Sequence, residues 1–140
     1  MSNTKKYLIL GVVLIIALAV LFAWPRITNP TAEVTKKWTE AGIECLAMGH
    51  QNVGQHIHPN LQIWVDGKEQ TLPADIGIVK NCMAEAHTHD ASGKIHIETL
   101  LSDKIIKLKD FFTVWGESLA KEGYQLEMIV DDQPSLEGGE

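Results

Sequence analysis

Five of the six histidines in this 140-residue chain fall between His56 and His96, and four of them form two His-x-His pairs, His56/His58 and His87/His89. Composition alone would give roughly 0.25 such pairs, so two are an excess. In a strand, residues i and i+2 share a face about 6.6 Å apart, which lets two imidazoles converge on one ion through bonds of about 2 Å. His96 and Glu98 share a face by the same spacing, and Asp90 adds a second carboxylate. Nitrogen and oxygen donors in this mixture suit zinc, copper(II) or non-haem iron, and not calcium or magnesium. The expectation is that three or four of His56, His58, His87, His89 and His96 hold one ion. Glu98 or Asp90 then completes the shell or orients an imidazole through its second nitrogen. His50, near Cys45 and Met48, belongs to no pair and reads as an ordinary surface histidine.

Three functions are compatible with such a set. The leading one is a membrane-tethered extracytoplasmic domain that binds a transition metal, zinc or copper, because binding needs only convergent ligands. A metalloenzyme is the second, with zinc, copper or iron held by imidazoles, an open position for water or oxygen, and Glu98 or Asp90 as base or further ligand. In the third, the histidines only hydrogen-bond solvent or backbone, in a metal-free accessory or interaction domain. Clustered imidazoles could also sense pH. Other chemistry is poorly represented, since the sequence holds neither a phosphate-cradling glycine loop nor a Cys-x-x-Cys pair.

The elements that must position these residues begin after an apolar amino-terminal run. Seventeen of the 18 residues from Tyr7 to Trp24 are apolar, with Gly11 the only interruption and no charge among them. As a helix they would span about 27 Å, enough for a thin bilayer. Lys5 and Lys6 place the amino terminus in the cytoplasm, and Pro25 closes the run. The expected fold is therefore α+β, a single N-terminal transmembrane helix followed by a small β-rich domain with a short amphipathic helix outside the cytoplasm. A cleaved signal peptide, with Ala17-Leu18-Ala19 as its processing site, is the rival. Removing Lys5 and Lys6 from the 12 basic residues leaves 10 against 18 acidic ones, about −8 for the outer part, which argues against nucleic acid as a partner.

Cys45 and Cys82 would then lie where disulfides persist. A bridge, two buried thiols, or soft-metal ligation helped by Met48 or Met83 are the alternatives.

Within the outer part, residues 26–42 read as a tether with a short helix, capped by Asn29, opened by Pro30 and stopped by Gly42. The His-rich domain covers residues 43–131. Gln55 to Val65 alternates as a half-buried strand in which Pro59 marks an edge or bulge. Asp66-Gly67 is a hairpin signal, with Lys68 to Leu72 returning. Pro73 to Val79 is a connection, and Asn81 to His89 is ambiguous. Asp90 to Gly93 turns into a strand from Ile95 to Thr99, and Ile105, Ile106 and Leu108 could add another. Asp110 to Ala120 reads as the amphipathic helix, and Tyr124 to Val130 as a final strand. Residues 132–140 read as a polar, unpartnered tail.

His56-Ile57-His58-Pro59, Cys82, His87-Thr88-His89-Asp90, Gly93, Ile95-His96-Ile97-Glu98 and Phe111-Phe112 with Trp115-Gly116 together resemble an uncharacterised family of small exported or membrane-anchored prokaryotic proteins. The resemblance covers about Gly42 to Gly116. The chain departs from it between Met48 and Gln55, where His50 stands instead of an acidic residue. The resemblance implies a further carboxy-terminal strand and no particular activity or metal.

Overall fold

The elements follow one another as α1 (Pro30–Glu40), β1 (Cys45–Leu46), β2 (Gln55–Ile57), β3 (Ile63–Val65), β4 (Lys68–Gln70), β5 (Ile78–Val79), β6 (Cys82–Ala84), β7 (Ala86–His87), β8 (His96–Thr99), α2 (Leu108–Trp115), β9 (Met128–Val130) and β10 (Gln133–Ser135). They are those of a computed structural model that describes residues 30–46 and 52–135. The chain divides into two units, Met1–Glu33 and Val34–Glu140.

Among the described residues the second unit is a small β-rich domain with helices at two places, and its strands form four short antiparallel sheets, ordered β1-β6-β5, β2-β8-β7, β3-β4 and β9-β10. The transmembrane part of the expected fold is corrected. No helix among the described residues is long and apolar enough to cross a membrane. The run from Tyr7 to Trp24 lies outside the described residues, as do the expected cap Asn29 and both His50 and Met48.

The core is built from Trp38 of α1, Ile43, Leu72, Ile76, the strand residues Cys82, Ala84 and Ala86, Ile95, and Phe111, Phe112 and Val114 of α2. Trp38 is buried with its indole N–H donating to the carbonyl of Val114, 3.3 Å away, so a large apolar ring enters the core without stranding its polar atom. The helix α2 begins earlier than its apolar spacing suggests. Asp110 is its third residue, and Oδ2 accepts the backbone N–H of Lys107 at 2.8 Å, closing the amino-terminal end. It also stops earlier, at Gly116, whose N–H returns to the carbonyl of Phe112 at 2.9 Å.

Elsewhere turn chemistry decides. Asp66 and Gly67 take φ of 51° and 73°, the left-handed pair that a two-residue hairpin requires, and join β3 to β4. The strand expected over Gln55 to Val65 is broken in two around Pro59, which has no N–H to give a ladder. Its carbonyl accepts from Ile95 at 2.9 Å, and Asn60 forms an isolated bridge with Lys94. Ile105, Ile106 and Leu108 form no strand, and Ile105 is left exposed. The last expected strand shortens to β9. The stretch read as an unpartnered tail instead supplies β10, folded back through Asp131 and Asp132, both at positive φ.

Candidate metal centre

The middle strand of the β2-β8-β7 sheet carries His96 and Glu98, and its register fixes what faces them. His96 lies opposite His87 of β7, and Glu98 lies opposite His56 of β2. Cross-strand partners share a sheet face, as do residues two apart along a strand. One face therefore collects His56, His87, His96 and Glu98, while His58 and His89 follow two residues beyond His56 and His87.

The rings pack around His96. Its centroid lies 4.4 Å from that of His58, 4.6 Å from His89, 5.3 Å from His87 and 5.9 Å from His56. The ligand atoms form two sets, His56/His58/His96 and His87/His89/His96, each with its atoms within 4.8 Å of one another. The first set is the more exposed, whereas His87 is completely buried.

His87 is also the most constrained. Its Nδ1–H donates to the carbonyl of Ala84 at 2.9 Å, so a carbonyl that can only accept selects the tautomer and leaves Nε2 for other work. That Nε2 lies 3.2 Å from Nε2 of His89. The separation is near the edge of a tetrahedron around an ion with bonds of 2.0–2.1 Å, about 3.3 Å. Burial pushes the His87 pKa down to about 4, against the opposing pulls of the Ala84 carbonyl and the Glu98 charge. Burial also lowers His96, followed by the neighbouring His58 and His89, with Glu98 again opposing. His87 is thus neutral at pH 7, the state in which imidazole binds metal.

Glu98 has no exposed side-chain surface, and its Oε1 lies 3.1 Å from Nε2 of His56, 3.8 Å from Nδ1 of His96 and 4.0 Å from Nε2 of His87. A buried carboxylate among imidazole nitrogens can ligate an ion or accept an N–H from a ligating ring. Asp90 is in neither set of donors. It is exposed, and Oδ1 accepts the Ser92 N–H at 2.9 Å. Hydrogen bonds from Ser92 hold its carboxyl below the usual carboxylate range. Its role is to shape the turn between β7 and β8. Cys45 and Cys82 are joined as a disulfide, Cα atoms 5.3 Å apart. Met83 is buried in β6.

Three positions outside both sets of donors also shape the site. Thr88 is buried between His87 and His89, and its Oγ1 donates to Pro73 O and accepts from Ile76 N, both at 3.0 Å. Gly77 takes φ of 77°, and a Cβ there would meet Ala86 O at 2.8 Å and His87 Cβ at 3.1 Å. Glu85, between β6 and β7, accepts the Glu44 N–H and pairs with Lys104 while its own carbonyl accepts from Glu98 N at 2.8 Å. Only the polar Thr88 and Glu85 within the apolar stretch Cys82–Ala86 and its continuation could have signalled this from sequence.

Two clefts lie elsewhere. One is lined by Gln55, Ile57, Ile97 and the segment from Ser102 to Ile106, the other by residues around Leu61, Gln70 and Ser92, and neither includes a histidine. Comparison with family models, with curated proteins and with solved structures finds no match to this chain.

Proposed function

We propose that the domain binds a transition metal ion, zinc or copper, through the histidines gathered around His96. The observation that carries this reading is the packing of five imidazoles and one buried carboxylate around one sheet face and the segments that continue it, with two Nε2 atoms already 3.2 Å apart. Neutral nitrogen donors favour these metals over hard cations. Binding needs only convergent donors, and those are what the geometry around His96 supplies. The disulfide supports an oxidising compartment outside the cytoplasm as the place of action.

The test is metal content per chain in full-length protein purified without an affinity tag and equilibrated with zinc or copper(II). Stoichiometric metal that survives gel filtration at pH 7.5 is the expected result. A chain that emerges metal-free from both solutions overturns the proposal.

A further inference from the structure

Six donors are more than one zinc or copper(II) ion ordinarily takes, which is about four from protein and water together. The surplus is ordered. His96 alone belongs to both sets of three, and it sits edge-to-face against one ring of each pair, His58 at 81° and His89 at 82°.

The two nitrogens of a ligating histidine normally divide their work, one binding metal and the other donating its N–H to a carbonyl or carboxylate. His87 follows that pattern, with Ala84 as acceptor. His96 does not. Its Nδ1 is buried with no hydrogen-bond partner, and Oε1 of Glu98, at 3.8 Å, is beyond bonding distance. A buried N–H in that position would carry the full cost of an unmade hydrogen bond. A bare lone pair directed at an ion would not. The buried Glu98 carboxylate, within 4.0 Å of nitrogens from His56, His87 and His96, places negative charge between the two sets, where two cations would otherwise repel.

Resting on the metal-binding reading above, we infer that the site holds two ions joined by His96, one with His56 and His58 and the other with His87 and His89. Neutral His96 carries one ring proton. When both nitrogens are bound that N–H bond breaks, the proton passes to solvent, and the ring bridges as an imidazolate. With bonds of about 2 Å on either side of one ring, the ions lie about 6 Å apart.

Copper(II) tests this directly, because two copper(II) ions linked through an imidazolate couple their spins. Full-length protein loaded with copper(II) should hold two ions per chain, with a paramagnetic resonance signal far below two spins. Substituting His96→Ala, with folding checked by near-ultraviolet circular dichroism, should leave fewer bound ions, and each should count as a full spin. Two ions with two full spins in the unaltered chain would overturn the bridge. One ion with one full spin would overturn the two-ion centre and leave the metal-binding reading standing, whereas no bound copper or zinc would end both. The spin count on the unaltered chain decides the matter even where His96→Ala does not fold.

Discussion

The side chain of His87 and the backbone of Ala84 are bound together: Nδ1 of the ring donates to the carbonyl across 2.9 Å. One face of the imidazole problem is thereby settled by the fold before any ligand arrives. The ring is buried, neutral and set in the tautomer that presents Nε2 to His89.

A pH dependence follows from that burial. The folded pKa of about 4 lies below the ordinary 6.5, so between these values the unfolded chain binds a proton that the folded one does not. Stability of the metal-free protein is therefore full above about pH 6.5 and falls as pH drops toward 4, by roughly 3 kcal/mol for this group alone. Denaturant midpoints at pH 7.5 and pH 5 should show the loss. His87→Gln, which keeps a donor for Ala84, should flatten the profile.

Ligand substitutions should separate the carboxylates. Glu98→Gln should weaken zinc binding about 10- to 100-fold, the range for groups that orient or complete a metal shell. Asp90→Ala, affecting only a turn, should leave affinity within about 2-fold in the same range of measurement. Competition against a chromophoric chelator reads both. Equal losses for the two would contradict the placement of Asp90 outside the site.

Gly77→Ala should destabilise the domain by about 2 kcal/mol or more, since an alanine would sit at a left-handed φ and press on Ala86 O and His87 Cβ. Zinc affinity should drop with it, because the crowded neighbour is a ligand candidate. Thermal unfolding and chelator competition on the same sample would test the link.

Lys104→Ala would leave the Glu85 carboxylate buried without its ion pair, a change of about 3 kcal/mol. The double variant Lys104→Met with Glu85→Gln should recover much of that loss, as it removes both charges together. Urea unfolding of the three proteins measures the difference.

Histidine spacing was the most informative part of the sequence, because the i, i+2 rule holds wherever the backbone is extended, however short the strand. What spacing could not supply was the register that sets His56 against Glu98 and His87 against His96, which depends on pairings between distant segments. The Asp66-Gly67 hairpin was legible since its turn chemistry is local. The ends of α2 were less so. Apolar periodicity runs on to Leu119, while the helix obeys Asp110 at one end and Gly116 at the other. The β9-β10 ribbon was hidden for a similar reason, its turn being made by Asp131-Asp132 at positive φ, a conformation for which aspartate is a weaker signal than glycine. Asp90, next to His89 in sequence, is in neither set of donors, and its Oδ1 accepts the Ser92 N–H within its own turn.

The sheet register also bears on the order in which the site comes together during folding. His87 and His96 are paired across a hairpin with a sequence separation of 9 residues, whereas His56 and Glu98 are 42 apart. Closing the longer loop costs more chain entropy, by about 0.6 kcal/mol for each doubling of length. Contacts of short separation form sooner. The β7-β8 hairpin can thus present His87, His89 and His96 while β2 is still searching for its place, and an ion captured there would act as a nucleus onto which His56 and His58 later close.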